Sequence, residues 1–274
     1  MEKIANHIQN WLNEYCTNSG QSGFVIGVSG GIDSAVVSTL CAKTGLKTIV
    51  VALPIREKIG HNLSQEHCDY LCQNYTNVSK IEIDLSDTFS QFEKAFKKSV
   101  DVDTNFELTM ANTRSRLRMT ALYSIASTHN LLVAGTGNKI EDFAIGFYTK
   151  WGDGGVDISP IADLMKSEVY KLGEFLNVPK SILNAKPTDG LWQDGRTDED
   201  QIGATYDELE WAMNYLNTGV VDYEKSPDID RQSEVLKIYT KRHNTNRHKM
   251  NPIPVCSLEN FRNYRGELEI NELV

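Results

Sequence analysis

Residues 24–34 read FVIGVSGGIDS, and this stretch decides the fold. The run FVIGV is apolar and rich in β-branched side chains, which is typical of a buried strand. Two adjacent glycines, Gly30 and Gly31, follow it, and a helical pattern then spans residues 33–43. Glycines permit positive φ and let N–H groups approach an anion, and a helix start adds partial positive charge. The stretch therefore predicts a strand, a phosphate-binding loop and a helix.

One residue sets this loop apart from the commonest phosphate loop. No Gly-Lys-Ser or Gly-Lys-Thr sequence ends the motif, so it is not a Walker A loop. Asp33 stands among the donors, where its carboxylate repels phosphate unless a Mg²⁺ ion lies between them. The alternative is a plain glycine turn with Asp33 as a helix cap. The complete motif directly after a buried strand favours the phosphate site.

Strands and helices alternate along the chain outward from this loop. Further apolar runs predict strands at residues 48–53, 80–84 and 131–135. Helical patterns lie at residues 2–15, 65–74, 88–98, 106–128, 163–176, 206–216 and 231–239. The alternation predicts an α/β fold with a doubly wound, mostly parallel sheet and helices on both faces. Such a sheet binds its ligand at the carboxyl ends of its strands.

The composition is that of an ordinary globular chain. Its 274 residues are 40% hydrophobic and 24% charged, and we expect a single domain over residues 1–274. Its expected parts are an N-terminal helix at 2–16, a nucleotide-binding α/β core at about 20–176, a helical part at about 177–255 and a tail at 256–274 without an assignable feature.

Charge and cysteine content restrict the partners and the location. A formal net charge of −9 argues against non-specific nucleic-acid binding. The longest stretch without Asp, Glu, Lys or Arg, residues 119–138, is too polar to span a membrane, and the first residues do not resemble a signal peptide. Five cysteines favour reduced thiols, and we interpret Cys68 and Cys72 as half-buried helix residues rather than metal ligands. We expect a cytoplasmic protein that binds neither nucleic acid nor membranes.

Several segments together resemble a known enzyme family. The loop SGGIDS at residues 29–34 looks like the pyrophosphate loop of ATP pyrophosphatases that adenylate a substrate. Five later segments are similar, in order and spacing, to the ammonia-dependent NAD synthetases: GTGNKIE at 135–141, YTKWGDGGVD at 148–157, KPTDGLW at 186–192, TDEDQIG at 197–203 and RHK at 247–249. The resemblance runs from about residue 2 to residue 255, and its motifs are specific as a set.

This resemblance implies a fold and a reaction. The fold is the Rossmann-like arrangement of the adenine nucleotide α-hydrolase-like superfamily. ATP adenylates the nicotinate carboxylate of deamido-NAD and releases pyrophosphate, and ammonia then displaces AMP to give NAD. Such a reaction depends on positioning and charge neutralisation rather than on a nucleophilic side chain. The resemblance also implies a homodimer, and one helix before residue 23 leads us to expect free ammonia rather than a glutaminase domain.

The resemblance further implies roles for individual residues. Asp33 and Glu141 hold Mg²⁺ on the ATP phosphates, and with Lys166 and Asp153 they form the predicted catalytic set. The predicted ATP contacts are Gly27, Val28, Ser29, Gly30, Gly31, Ile32, Asp33, Ser34, Thr136, Lys166 and Thr188. The predicted deamido-NAD contacts are Arg116, Lys150, Asp157, His248 and Lys249. Asp153 and Asp157 lie in the loop that contains Gly152, Gly154 and Gly155, which we call the glycine-rich loop. They are candidates for attracting ammonium or accepting its proton.

Structural roles compete with several of these assignments. Lys166 alone reads as a solvated helix lysine, and Glu141 as an exposed acid at a helix start. Arg114, Arg116 and Arg118 cannot all serve one ligand, and surface ion pairs explain at least one of them. A stripe at helical spacing predicts core positions at Tyr206, Leu209, Met213 and Leu216.

Two other functions are compatible with the same loop. The first is another adenylating amidotransferase, such as a GMP-synthetase-like enzyme, although the chain after the glycine-rich loop is short for a further dimerisation domain. The second is a nucleotide-binding sensor without catalysis, which does not need both Asp33 and Glu141. ATP–pyrophosphate exchange that depends on deamido-NAD distinguishes the NAD synthetase interpretation from both.

Overall fold

Four parallel strands form the centre of the computed structural model, which describes residues 1–56, 61–101, 104–188, 195–221 and 225–258. The strands are β1 (Gly23–Gly27), β2 (Lys47–Ala52), β3 (Val78–Glu82) and β4 (Leu132–Val133). Their spatial order is β3-β2-β1-β4. The chain therefore steps outward from β1 to β3 and returns to pair β4 with β1. The loops after β1 and β4 lie side by side at this reversal, where doubly wound sheets bind ligands.

The helices cover both faces of the sheet. They are α1 (Glu2–Asn18), α2 (Ile32–Lys43), α3 (His61–Asn74), α4 (Ser86–Ser99), α5 (Phe106–His129), α6 (Lys166–Phe175), α7 (Lys180–Leu183), α8 (Asp198–Ile202), α9 (Tyr206–Thr218) and α10 (Ile229–Met250), together with one π-helix (Ile140–Ile145). Side chains alternate along β1, so Phe24 and Ile26 pack with α1, α2 and α6, whereas Val25 packs with α4 and α5. The predicted α/β fold is confirmed.

A third apolar cluster lies beyond the strand ends. It joins the π-helix to α9 and α10 through Ile140, Ile145, Leu209 and Trp211, all almost fully buried. This cluster brings the carboxyl-terminal helices against the segment that follows β4. The residues of two distant parts of the sequence can therefore meet at the edge of the sheet.

The structure differs from the predicted elements where hydrophobic periodicity is a poor guide. β3 begins two residues before the predicted strand, because it lies at the sheet edge and its exposed positions carry little pattern. α10 continues to Met250, well past the predicted end at residue 239, because its second half is held by polar contacts. The π-helix has no 3.6-residue stripe and was not predicted.

Three further observations concern the helices, the thiols and metal-binding groups. Across the described helices, none combines the length and apolar character that a membrane crossing requires. All five cysteines are free thiols, and Cys68 is buried beside Leu71. Within the described residues, no group of three or more His, Cys, Asp or Glu side chains is placed to hold a metal ion.

The buried His67 on α3 makes stability depend on pH. Its Nε2 lies 3.0 Å from Ser38 Oγ. Because Ser38 Oγ already donates to Ser34 O at 2.7 Å, Nε2 is the protonated nitrogen. Its Nδ1 is buried and has no hydrogen-bond partner among the described residues. Burial lowers the pKa of His67 from about 6.5 to about 4, so the folded chain keeps this ring neutral.

We predict that lowering the pH from 7 to 5 destabilises the fold through His67. The unfolded chain takes up a proton below its pKa of about 6.5, whereas the folded chain does so only near 4. At pH 5 this one group lowers the free energy of unfolding by about 2 kcal/mol. Urea unfolding at both pH values measures it, with His67→Gln as the reference for all other titrating groups. Equal pH dependence in the two proteins would contradict the prediction.

Candidate active site

The loop between β1 and α2 is held in shape by its own serines. Gly30 has a φ of +90°, a conformation that side chains disfavour. Ser34 Oγ accepts a hydrogen bond from Ser29 N at 3.2 Å and donates one to Gly31 O at 3.0 Å. Gly31 is the N-cap of α2 and offers no side-chain cap, so the helix start keeps donors for an anion.

Lys166 connects the segments that follow β1 and β4. The side chain is only 3% exposed, and its Nζ lies 2.6 Å from Asp33 Oδ2 and 3.1 Å from Glu141 Oε1. Burial by itself lowers the pKa of Lys166, but the two carboxylates outweigh it and raise that pKa. Burial raises the pKa of Glu141, and the charge of Lys166 opposes this. The structure therefore brings three predicted catalytic residues into one contact.

Asn138 joins the same two segments through its side-chain amide. Its Nδ2 donates to Asp33 Oδ1 at 3.1 Å. Its Oδ1 accepts hydrogen bonds from the backbone N–H groups of Ile140 and Glu141, both at 3.1 Å, in the first turn of the π-helix. Asn138 is fully buried. It fixes the position of Glu141 relative to the phosphate loop, a role that sequence reasoning missed.

Tyr206 is a second residue that the sequence assigned only to the core. It is buried as predicted, but its hydroxyl lies 2.6 Å from Glu141 Oε1 and 3.2 Å from Asp198 Oδ2. Lys166 Nζ lies 4.6 Å from the centre of its ring. The available signal was chemical, because a buried tyrosine usually finds a partner for its hydroxyl. Tyr206 therefore contacts both Glu141 and Lys166.

Glu210 lies one turn after Tyr206 on α9 and holds the start of α6. This carboxylate is 3% exposed and accepts hydrogen bonds from Ser167 N and Ser167 Oγ, both at 2.8 Å. Lys225 forms an ion pair with it. Because Ser167 follows Lys166 directly, α9 supports Lys166 both through the ring of Tyr206 and through the helix that carries it.

Four of the predicted deamido-NAD residues form a second group. Arg116 Nε lies 3.2 Å from Lys150 O, and Lys150 Nζ donates to His248 O at 2.7 Å. Lys249 Nζ lies between Gly146 O and Tyr148 O, at 2.9 and 2.8 Å. The cations lie on α5, the glycine-rich loop and α10, and the carbonyls that accept from them lie in residues 146–150 and on α10, so these contacts tie the three parts together.

The two acidic candidates of the glycine-rich loop differ in their surroundings. Asp157 uses both oxygens within the chain, accepting from Tyr123 OH at 2.9 Å and from Val133 N at 2.8 Å. Asp153 is exposed and uses Oδ1 to accept from Ser115 Oγ at 2.6 Å and Thr149 N at 3.1 Å. Both side chains are exposed, but Asp157 binds β4 and α5 with its two oxygens, whereas Asp153 accepts only through Oδ1 among the described contacts.

The remaining predicted contacts are less closely grouped. Thr136 is half-buried in the loop after β4, beside Asn138. Thr188 is exposed, with its Oγ1 3.3 Å from Arg196 O, and it borders residues 189–194, which lie outside the described residues. The other two arginines of α5 turn elsewhere, since Arg114 lies over the Phe89 ring and Arg118 Nε contacts Leu53 O.

Asp142 lies next to Glu141 and was not predicted. Burial raises its pKa to about 8, and the charges of Glu141, Asp153 and Asp33 add to this effect. A Cβ on Gly137 would lie within 2.4 Å of its carboxylate atoms, so a side chain there would displace Asp142.

Comparison with known proteins gives the family of the chain. Residues 4–253 match the sequence model of the family described as NAD synthase. The chain belongs to the NAD synthase family. It is 37% identical to the NH(3)-dependent NAD(+) synthetase of Carboxydothermus hydrogenoformans, over 86% of this chain and 95% of that protein.

Solved structures of similar proteins have the same fold. The structure of NMN synthetase from Francisella tularensis has a TM-score of 0.80 and 34% identity, over 94% of this chain and 98% of that one. The NH3-dependent NAD synthetase from Campylobacter jejuni has a TM-score of 0.72 and 25% identity, over 93% and 98%. The prediction of an ammonia-dependent ligase that makes NAD is confirmed, and it holds over the GMP-synthetase-like alternative.

We predict that Tyr206→Phe lowers the kcat of NAD formation about tenfold, since it removes one hydrogen bond to a charged group and keeps the ring over Lys166. The measurement is NAD formation at saturating substrates. Tyr215→Phe, on the same helix and stacked on Trp211, is the matched control and should keep the parent rate. Equal rates in both variants would show that the Tyr206 hydroxyl does not matter.

Proposed function

We propose that ATP binds at the reversal between β1 and β4, and that Lys166, Asp33 and Glu141 act there on its phosphates. The observation that carries this proposal is the contact of Lys166 Nζ with both carboxylates beside the phosphate loop. The family performs an ATP-dependent amidation, so the nucleotide must reach charged groups at one edge of the sheet. No other described part of the chain combines a glycine loop, a helix start and a buried lysine.

The proposed reaction on this chain has two steps. A nicotinate carboxylate oxygen of deamido-NAD attacks the α-phosphorus of ATP, and the bond to pyrophosphate breaks. Ammonia then attacks the activated carbonyl carbon, the bond to AMP breaks, and a proton leaves the nitrogen. The N–H groups at the start of α2 and the ammonium of Lys166 neutralise the phosphate charge as it develops. The chain's contribution is alignment and electrostatics.

A magnesium ion fits the carboxylate pair. Both Asp33 Oδ2 and Glu141 Oε1 point at one position, where a cation, the Lys166 ammonium, lies between them. Mg²⁺ is commonly held by one or two carboxylates together with substrate phosphates and water, so two protein ligands suffice. When bound, the ion neutralises phosphate charge. In our proposal Asp33 and Glu141 hold it, and Asn138 and Tyr206 orient the two carboxylates.

The second group supports a dinucleotide site next to the nucleotide. Arg116, Lys150 and Lys249 place three cations around the glycine-rich loop, which suits a polyanionic substrate. We propose that Asp153, exposed in this loop, attracts ammonium or takes up its proton. Asp157, whose two oxygens are used within the chain, is better suited to hold the loop against β4.

Assembly and location remain predictions. The homodimer implied by the resemblance is supported by large apolar side chains exposed on or near α4 and α5, namely Phe92, Val100 and Leu108. Sedimentation velocity of the full chain measures it. The cytoplasmic location is supported by five free thiols.

We predict that the chain forms NAD and AMP in a one-to-one ratio from ATP, Mg²⁺, deamido-NAD and ammonium chloride. Asp33→Asn should lower kcat roughly 100-fold or more, because it removes a charge from the phosphate site. Asp163→Asn is the matched control, since this side chain is 97% exposed. Nicotinate mononucleotide is the comparison substrate, because the similar Francisella structure is that of an NMN synthetase. Turnover of the mononucleotide alone would contradict the proposed substrate.

A separate prediction concerns the nitrogen donor. Asp153→Asn keeps an oxygen for Ser115 and Thr149 but loses its charge, so we expect the ammonium concentration at half-maximal rate to rise about tenfold. The KM for ATP should stay within about twofold. Initial rates at varied ammonium chloride and constant ionic strength measure both values. An unchanged ammonium dependence would exclude Asp153 from this step.

A further inference from the structure

Three polar side chains on α10 contact the backbone between the π-helix and the glycine-rich loop. We call His243, Asn246 and Lys249 the α10 ladder, because they recur every three residues on one face of the helix. The contacts, given as nitrogen-to-oxygen distances, are His243 Nδ1 to Ala144 O (2.8 Å), Asn246 Nδ2 to Ile145 O (2.8 Å), and Lys249 Nζ to Gly146 O (2.9 Å) and Tyr148 O (2.8 Å). Since a carbonyl oxygen only accepts, His243 carries its proton on Nδ1.

These carbonyls need partners from outside their own helix. The last carbonyls of a helix have no N–H donor within that helix. The π-helix ends at Ile145, so the carbonyls of Ala144 and Ile145 belong to this group. Ala144 and Ile145 are fully buried, so water cannot replace a lost donor there. A buried carbonyl without a hydrogen bond costs about 1–3 kcal/mol. The α10 ladder therefore supplies the donors that this turn of backbone requires.

Gly146 shows how closely the two backbones approach. Its φ is +60°, and a Cβ built there would lie 2.5 Å from the Cβ of Asn246. Only a glycine allows the chain to turn at this place while α10 lies against it. The contact at Asn246 is therefore part of a fitted interface rather than a chance surface hydrogen bond.

The α10 ladder donates hydrogen bonds to residues 144–148, which lie between two candidate catalytic residues in the sequence. Glu141 is on the π-helix, one turn before Ala144. Asp153 follows Tyr148, and the backbone N–H of Thr149 donates to its Oδ1. A shift of residues 144–148 would therefore move Glu141 and Asp153 relative to each other.

A side chain of the glycine-rich loop also donates a hydrogen bond to the end of α10. Lys150 Nζ donates to His248 O at 2.7 Å, so each partner holds the other. Lys249 is half-buried, and burial lowers its pKa, although the charge of Asp153 opposes this. Its ammonium already lies on two carbonyls, a placement that suits holding the backbone as well as binding a substrate.

We propose that the α10 ladder holds residues 144–148 in place and thereby positions Glu141 and Asp153 relative to each other for the two steps of the reaction. The inference rests on the proposed roles of those two residues. It assigns to Asn246, which the resemblance does not mark, a role through the backbone of residues 144–148. It also adds a structural role to the substrate contact expected of Lys249.

The test compares Asn246→Asp with Asn244→Asp in the full chain. Asn246→Asp keeps the shape but sets an acceptor against Ile145 O, whereas Asn244 is exposed and lines a separate groove on α10. We expect amide hydrogen exchange of residues 144–149, measured without substrates, to become about tenfold faster in Asn246→Asp only. We expect the kcat of Asn246→Asp to fall about tenfold and its ammonium concentration at half-maximal rate to rise. Asn244→Asp should keep the parent values of both.

A double variant tests whether the ladder acts as one unit. If Asn246→Asp and Lys249→Met disturb the same segment, their combined loss in kcat should be clearly smaller than the product of the single losses. Should Asn246→Asp not fold, Asn246→Ser, whose hydroxyl is too short to reach Ile145 O, takes its place.

Three outcomes overturn the proposal. Unchanged exchange in the Asn246 variant would show that the ladder does not hold the segment. Faster exchange with parent values of kcat and ammonium dependence would show a structural role alone. Fully multiplicative losses in the double variant would separate Lys249 from Asn246. Failure of the proposed function is distinct, because it appears as an unchanged kcat in Glu141→Gln with normal exchange.

Discussion

The contact of Lys166 with Asp33 and Glu141 is the constraint on which the candidate site depends. Three ionisable groups with at most 17% exposure gather where the sheet reverses direction. Removing one partner from a buried ion pair typically costs about 3–5 kcal/mol, because a charge is left without compensation. These groups and their helices are therefore held in place by the hydrogen bonds of Asn138, Tyr206 and Glu210.

Sequence predicted the features that depend on neighbouring residues. The run FVIGVSGGIDS places a strand, a glycine loop and a helix start in succession, and each has a local physical cause. The partners of Lys166 could not be found this way, because Asp33 lies 133 residues away in the chain. Periodicity correctly predicted that Tyr206 is buried, but its prediction for Leu216 is wrong, because that side chain near the end of α9 is 49% exposed. It also does not indicate which group a buried side chain contacts.

The end of α10 shows the same limit from the opposite side. Polar residues three apart usually form the solvated outer face of an amphipathic helix, so this spacing alone does not indicate the contacts that His243, Asn246 and Lys249 make. They instead face a turn of backbone that only a glycine at position 146 allows. The π-helix that needs these donors has no periodic pattern of its own, so neither partner of the interface is visible in the sequence.

Charge gives the last step of the synthesis. The chain carries a net charge of −9 and must nevertheless bind polyanions. With both carboxylates ionised, the cluster of Lys166, Asp33 and Glu141 has an excess of negative charge, so a phosphate alone is repelled by it. In our proposal phosphate and cation bind there together, because the cation neutralises charge on both the carboxylates and the phosphate. The buried lysine compensates the two carboxylates, and in our proposal these carboxylates make nucleotide binding conditional on the metal that accompanies it.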